Sequence, residues 1–78
     1  MDLESKMIQD DLKKVGARMR ELRKAKGFTG LDEFAYVNKL NRGTYGRMEK
    51  GYNMTMKNIL RVAHAHKMTL EDFFKGVR

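Results

Sequence analysis

The chain has 78 residues, no proline and no cysteine, and its 17 Lys and Arg against ten Asp and Glu give a net charge of +7. That is enough chain for one small domain with a single core, and the lack of cysteine excludes a disulfide framework and thiolate chemistry and fits a cytoplasmic location. The first residues lack the charged and apolar blocks of a signal peptide, no run reaches the length of a membrane span, and so large a basic excess points to a polyanion, most commonly nucleic acid.

Periodic apolar residues without strand-like alternation predict an all-α fold. Residues 1–11 carry four of the ten acids and read as a helical N-terminal extension to a domain spanning residues 12–78. Leu12, Val15, Met19 and Leu22 recur at i, i+3, i+7 and i+10. This is the stripe of a first helix that Ile8 continues backward, starting near Ser5 or Lys6 and ending at Gly27. At about 100° per residue, Lys13, Arg20 and Lys24 share one outward flank and Lys14 with Arg18 another, whereas Arg23 falls about 60° from the centre of the stripe. An arginine on that margin either reaches solvent or meets a carboxylate.

Phe28 follows as a core residue in the connection. A second helix is predicted over residues 31–37, with Asp32 and Glu33 in the first turn, where the helix dipole favours acids. Phe34, Ala35 and Val37 form its inner face. Asn38, Lys39 and Leu40 leave room only for a tight turn. Asn41 is a good N-cap for a third helix and Gly51 a good stop. Tyr45 and Met48 point inward from it, and Arg42, Gly43, Thr44, Gly46, Arg47 and Lys50 face outward or flank that face. Two short helices joined so tightly must cross, so the second can present residues 42–50 outward as a basic helix suited to a DNA major groove.

Thr55, with Asn58 three residues on, caps a fourth helix whose core face is Met56, Ile59, Leu60, Val62 and Ala63. Thr69 with Asp72 opens a short fifth, with Leu70, Phe73 and Phe74 inward. The seven methionines fall mostly at core spacings and read as adaptable packing. His64 and His66 are two apart, about 200° on a helix, and cannot share a metal, and no other ligand cluster accompanies them. Without a phosphate-cradling glycine loop, or a nucleophile with a base at useful spacing, neither an enzyme, a metal nor a cofactor is expected.

In this order the segments Val15–Thr29, Asn41–Gly51, Ile59–Ala63 and Thr69–Phe74 resemble the lambda-repressor-like helix-turn-helix domains of the XRE type, over roughly residues 12 to 75. The resemblance implies a compact five-helix DNA-binding transcription factor, most simply a repressor, acting as a homodimer on a palindromic operator. By position, Arg42 and Gly43 open the recognition helix where the family reads bases, Arg47 lies one turn on, and Thr44 and Lys50 match phosphate contacts. With the capping Asn41, the expected DNA-binding set is Asn41, Arg42, Gly43, Thr44, Arg47 and Lys50. Glu49 resembles the glutamate that pairs with a first-helix arginine, here Arg23. Three departures accompany the resemblance. An extra residue sits near Gly30, and Leu31 replaces a phosphate-anchoring glutamine. Lys39 replaces the turn glycine, which puts a non-glycine residue at positive φ. The competing expectation is a protein-interaction module of the same fold, such as an antitoxin with a toxin partner. A membrane-surface role is disfavoured because the core consumes the apolar stripes.

Overall fold

The computed structural model describes residues 2–78, and Met1 lies outside the described residues. Five helices follow one another with short turns: α1 (Leu3–Ala25), α2 (Leu31–Val37), α3 (Arg42–Glu49), α4 (Met56–Ala65) and α5 (Leu70–Lys75). Side chains cap four of the five N-termini. Asp2, Asn41, Thr55 and Thr69 each accept the amide three residues on, at 2.8, 2.9, 3.1 and 3.1 Å. The Asp2 cap explains why α1 begins at Leu3 rather than near Ser5 or Lys6, since the bond from Ser5 N–H favours the ionised carboxylate and lowers its pKa. The helix therefore runs without a break from the acidic segment into the domain.

The first four C-termini also close alike. Just past each helix one residue turns left-handed: Gly27 (φ 95°), Lys39 (φ 57°), Gly51 (φ 86°) and Lys67 (φ 56°). The following amide then reaches back to a helix carbonyl, Phe28 to Arg23 at 3.2 Å, Leu40 to Ala35 at 2.8 Å, Tyr52 to Arg47 at 3.0 Å and Met68 to Ala63 at 2.9 Å. Lys39 has the positive φ that the missing turn glycine implied. Nothing in its residue type signals the same geometry at Lys67, where a Cβ costs about 1–2 kcal/mol relative to glycine.

Met19, Phe34, Tyr45, Val62 and Phe73 are the largest fully buried side chains. Phe34 is the hub. Phe28 meets it edge-on with centroids 5.4 Å apart, Tyr45 lies 5.1 Å away on α3, and the His66 ring stacks at 5.1 Å from the end of α4. Where α1 crosses α3 there is no room for a side chain. A Cβ on Gly16 would stand 2.5 Å from the carbonyl oxygens of both Met48 and Glu49, and one on Gly51 would stand 2.8 Å from Lys13 Cα. Backbone meets backbone there, which fixes the end of α3 against the middle of α1.

Besides Ile8, which continues the stripe of α1 but is exposed, four side chains depart from the expected pattern. Val37 is mostly exposed because it falls about 110° from the midpoint of Phe34 and Ala35 on the wheel. Met56 and Leu70 are exposed because each opens its helix, and first-turn side chains lean back toward the N-terminus, away from the packed turns. Arg18 moves the other way. It was expected on an outward flank, but its Nε donates to Phe73 O at 2.9 Å and its Nη2 to Asp72 O at 3.1 Å. These are carbonyls in the last turns of α5, which a six-residue helix leaves without internal partners.

His66 Nε2 is buried with no hydrogen-bond partner among the described residues, while His64 is exposed. Burial, followed by the charges of Lys26 and Arg18, pulls the His66 pKa down from 6.5 to about 4. Below pH 6.5 the unfolded chain takes up a proton that the folded one refuses, so stability is lost as pH falls toward 4 and the loss levels off below that. Denaturant melts between pH 7 and 4 should show this slope, and His66→Phe, which keeps the stack on Phe34, should flatten it.

Candidate nucleic-acid interface

The α2–turn–α3 unit is held to α1 by one buried ion pair. Arg23 and Glu49 are each only 5% exposed. Arg23 Nε donates to Glu49 Oε2 at 2.7 Å and Nη2 to Oε1 at 3.1 Å, a two-pronged fork. The remaining nitrogen, Nη1, donates to the carbonyls of Phe28 at 2.9 Å and Thr29 at 2.8 Å. One guanidinium thus ties α1 to the last turn of α3 and to the chain entering α2. Arg20 adds a looser contact, 3.8 Å from Oε1, and is half exposed. The hydrogen bond to Glu49 raises the Arg23 pKa. Burial above all, reinforced by Glu49, raises that of Tyr45, so its phenol keeps its proton.

With its inner side so fixed, α3 turns an outward face to solvent. Arg42, Arg47 and Lys50 are exposed, and Thr44, Gly43 and Gly46 are half-buried. Asn41 spends its Oδ1 on the cap to Thr44 N–H, which leaves its amide group as a donor. A Cβ on Gly43 would lie 3.7 Å from Arg47 Nη1, so the Arg47 guanidinium folds back along α3 and rests over the glycine. Leu31, in the place of the expected glutamine, packs against the core and contributes no polar group. Arg42 turns toward α2, where its Nε donates to Asp32 Oδ1. That pairing, the carbonyls on Arg23, and Gly16 escaped the sequence reading. A glycine in the interior of a long helix was the available signal for the last, because it weakens the helix unless a close approach requires it.

Beyond this face the surface offers little chemistry. Among the described residues no cluster of three or more His, Cys, Asp or Glu is placed to hold a metal, and no helix is long and apolar enough to cross a membrane.

The geometry has a solved counterpart. The high-resolution crystal structure of the restriction-modification controller protein C.AhdI from Aeromonas hydrophila superposes with a TM-score of 0.72 at 38% sequence identity, over 83% of this chain and 98% of that one. No protein-family model matches the chain, and no curated protein matches it significantly. The chain belongs to the lambda-repressor-like, XRE-type helix-turn-helix family of DNA-binding regulators. Within this family fold, the Arg23–Glu49 fork sets the angle at which α3 leaves the body of the domain.

Removing one partner of a buried pair strands the other, at a cost of about 3–5 kcal/mol. Glu49→Ala should therefore lower the melting temperature by more than 10 °C, at about 4–8 °C per kcal/mol for a domain of this size. Arg20→Ala should leave it nearly unchanged, which circular dichroism melts of the two variants would check.

Proposed function

We propose that the chain is a sequence-specific regulator of transcription that binds duplex DNA as a homodimer, with α3 in the major groove. The observation that carries this reading is the solvent-facing side of α3, where Arg42, Arg47 and Lys50 stand free of the core on a helix clamped from behind. The 38% identity to a restriction-modification controller protein, across nearly all of that protein, favours control of a restriction-modification system as the biological setting. Such a protein acts in the cytoplasm, and it represses wherever its operator overlaps a promoter.

In this reading Arg42 and Arg47 are the base readers, because a planar guanidinium matches the two acceptors on guanine. Gly43 and Gly46 let the backbone of α3 approach the groove floor. Thr44, the Asn41 amide and Lys50 meet phosphates and set the register without reading sequence. Residues 2–11 continue α1 outward as an arm, with Leu3, Met7 and Ile8 exposed along it.

An eight-residue α3 spans only a few base pairs, and two-fold pairing would double the readout across half-sites about 34 Å apart. Sedimentation of the protein with a palindromic operator should find two chains per duplex; a monomer both free and bound would exclude pairing.

Lys50→Ala should weaken operator and scrambled duplexes alike and reduce the salt slope by about one ion. Arg42→Ala and Arg47→Ala should each reduce discrimination by about 1–3 kcal/mol at one base pair per half-site. Salt titrations of each variant on both duplexes separate the two roles. Equal losses on both duplexes for the arginine variants would reassign them to the backbone, leaving specificity to DNA shape.

A further inference from the structure

We infer that Asp32, on α2, is a specificity-determining residue that aims Arg42 at its base. The inference rests on the reading of α3 given above and adds a residue from outside the recognition helix. Arg42 Nε donates to Asp32 Oδ1, while its two terminal nitrogens have no partner among the described residues. Arginine carries five N–H donors, and guanine recognition end-on uses only the two terminal nitrogens. The one nitrogen that such a contact does not need, Nε, is thus the one that Asp32 takes. With the inner edge of the fork held, the guanidinium plane is set and its outer edge faces away from α2.

The position of Asp32 supports this role. It stands in the first turn of α2, where the helix dipole favours an anion, and the crossing of α2 and α3 lays that turn against α3, with Leu31 Cδ1 3.7 Å from where a Cβ on Gly46 would stand. Asp32 is 71% exposed and Arg42 67%, so in the free protein the pair adds little to stability. A carboxylate beside a DNA backbone lowers affinity for every duplex by repulsion. Its benefit must therefore appear in discrimination. At the interface, water leaves and the pair strengthens, which restricts Arg42 when a wrong base would otherwise be met by a swing to the phosphate. Asp32 is a positioning residue that trades general affinity for selectivity.

This predicts effects of opposite sign from one substitution. Binding sites selected from a random duplex pool, followed by anisotropy titrations, would be compared for the wild type, Asp32→Ala, Arg42→Ala and the double variant. Arg42→Ala should lose discrimination at one base pair per half-site, about 5- to 150-fold. Asp32→Ala should lose about three- to fivefold at that same base pair and no other, while binding scrambled DNA more tightly. In the double variant, Asp32→Ala should add no further loss of discrimination. Asp32→Asn, which keeps an accepting oxygen but not the charge, should fall between. Unchanged melting temperatures would show that the fold is intact. If Asp32→Ala tightens both duplexes equally, Asp32 only repels DNA and the inference fails. If it alters discrimination with Arg42 already removed, it acts by itself and the inference again fails. Should Arg42→Ala leave every base preference intact, the base-reading role of Arg42 falls instead, a result that the Arg42 arm alone reveals.

Discussion

A carboxylate at the end of a short helix, almost fully removed from water, can stay ionised only when donors replace its hydration, and Arg23 supplies two of them to Glu49. The same guanidinium holds the carbonyls of Phe28 and Thr29, polar groups in a connection with no helix of its own to satisfy them. Three parts of the chain that must keep fixed relative positions, the body of α1, the entrance to α2 and the exit of α3, therefore meet at one side chain. An apolar replacement could fill the space with comparable stability. It could not fix direction in the same way, because a fork accepts its partner in one plane while apolar contacts tolerate sliding.

The ion pair works with a crossing that has no slack. Gly16 lets the carbonyls of Met48 and Glu49 rest on α1, so the last turn of α3 sits against backbone rather than on a flexible side chain. Interiors packed to this density move as units. The outward face of α3 inherits that rigidity, so the donors it carries keep their positions relative to the body of the domain. At the opposite side of the domain, Arg18 ties the carbonyls of Asp72 and Phe73 to α1, and Lys26 reaches Ala65 O at 2.7 Å. Basic residues that add to the net charge thus also close helix C-termini, where a cation suits the dipole. A count of charges overstates what is free to meet a polyanion.

On the outward face of α3 side chains are few. Two glycines lie among its eight residues, Asn41 is committed to the cap, and Arg42 leans on Asp32. A face this sparse leaves its backbone open to close approach, and one of its few long side chains takes its orientation from the neighbouring helix. That contact depends on the α2–α3 turn, which sets the two helices relative to each other. Lys39 accepts a left-handed conformation there because the bond from Leu40 N–H to Ala35 O, together with the buried residues on either side, leaves no alternative.

Local chemistry was sufficient for much of the architecture. Asn41, Thr55 and Thr69 announce helix starts, Gly27 and Gly51 announce stops, and the i, i+3, i+7 recurrence from Leu12 to Leu22 identifies the buried side of α1. These signals act within a turn or two of chain and need no knowledge of the fold. The margin position of Arg23 also came from periodicity, but its carboxylate partner lies 26 residues away and was supplied by family resemblance rather than by spacing. What remained hidden depends on distant segments meeting. Lys67 turns left-handed because Met68 must close α4, and Arg18 folds inward because α5 returns across α1. The bond from Arg42 to Asp32 belongs to the same class, since both residues read locally as ordinary surface charges. Only the crossing of α2 and α3 sets them side by side, because a contact between helices is fixed by their relative placement and not by the sequence of either one.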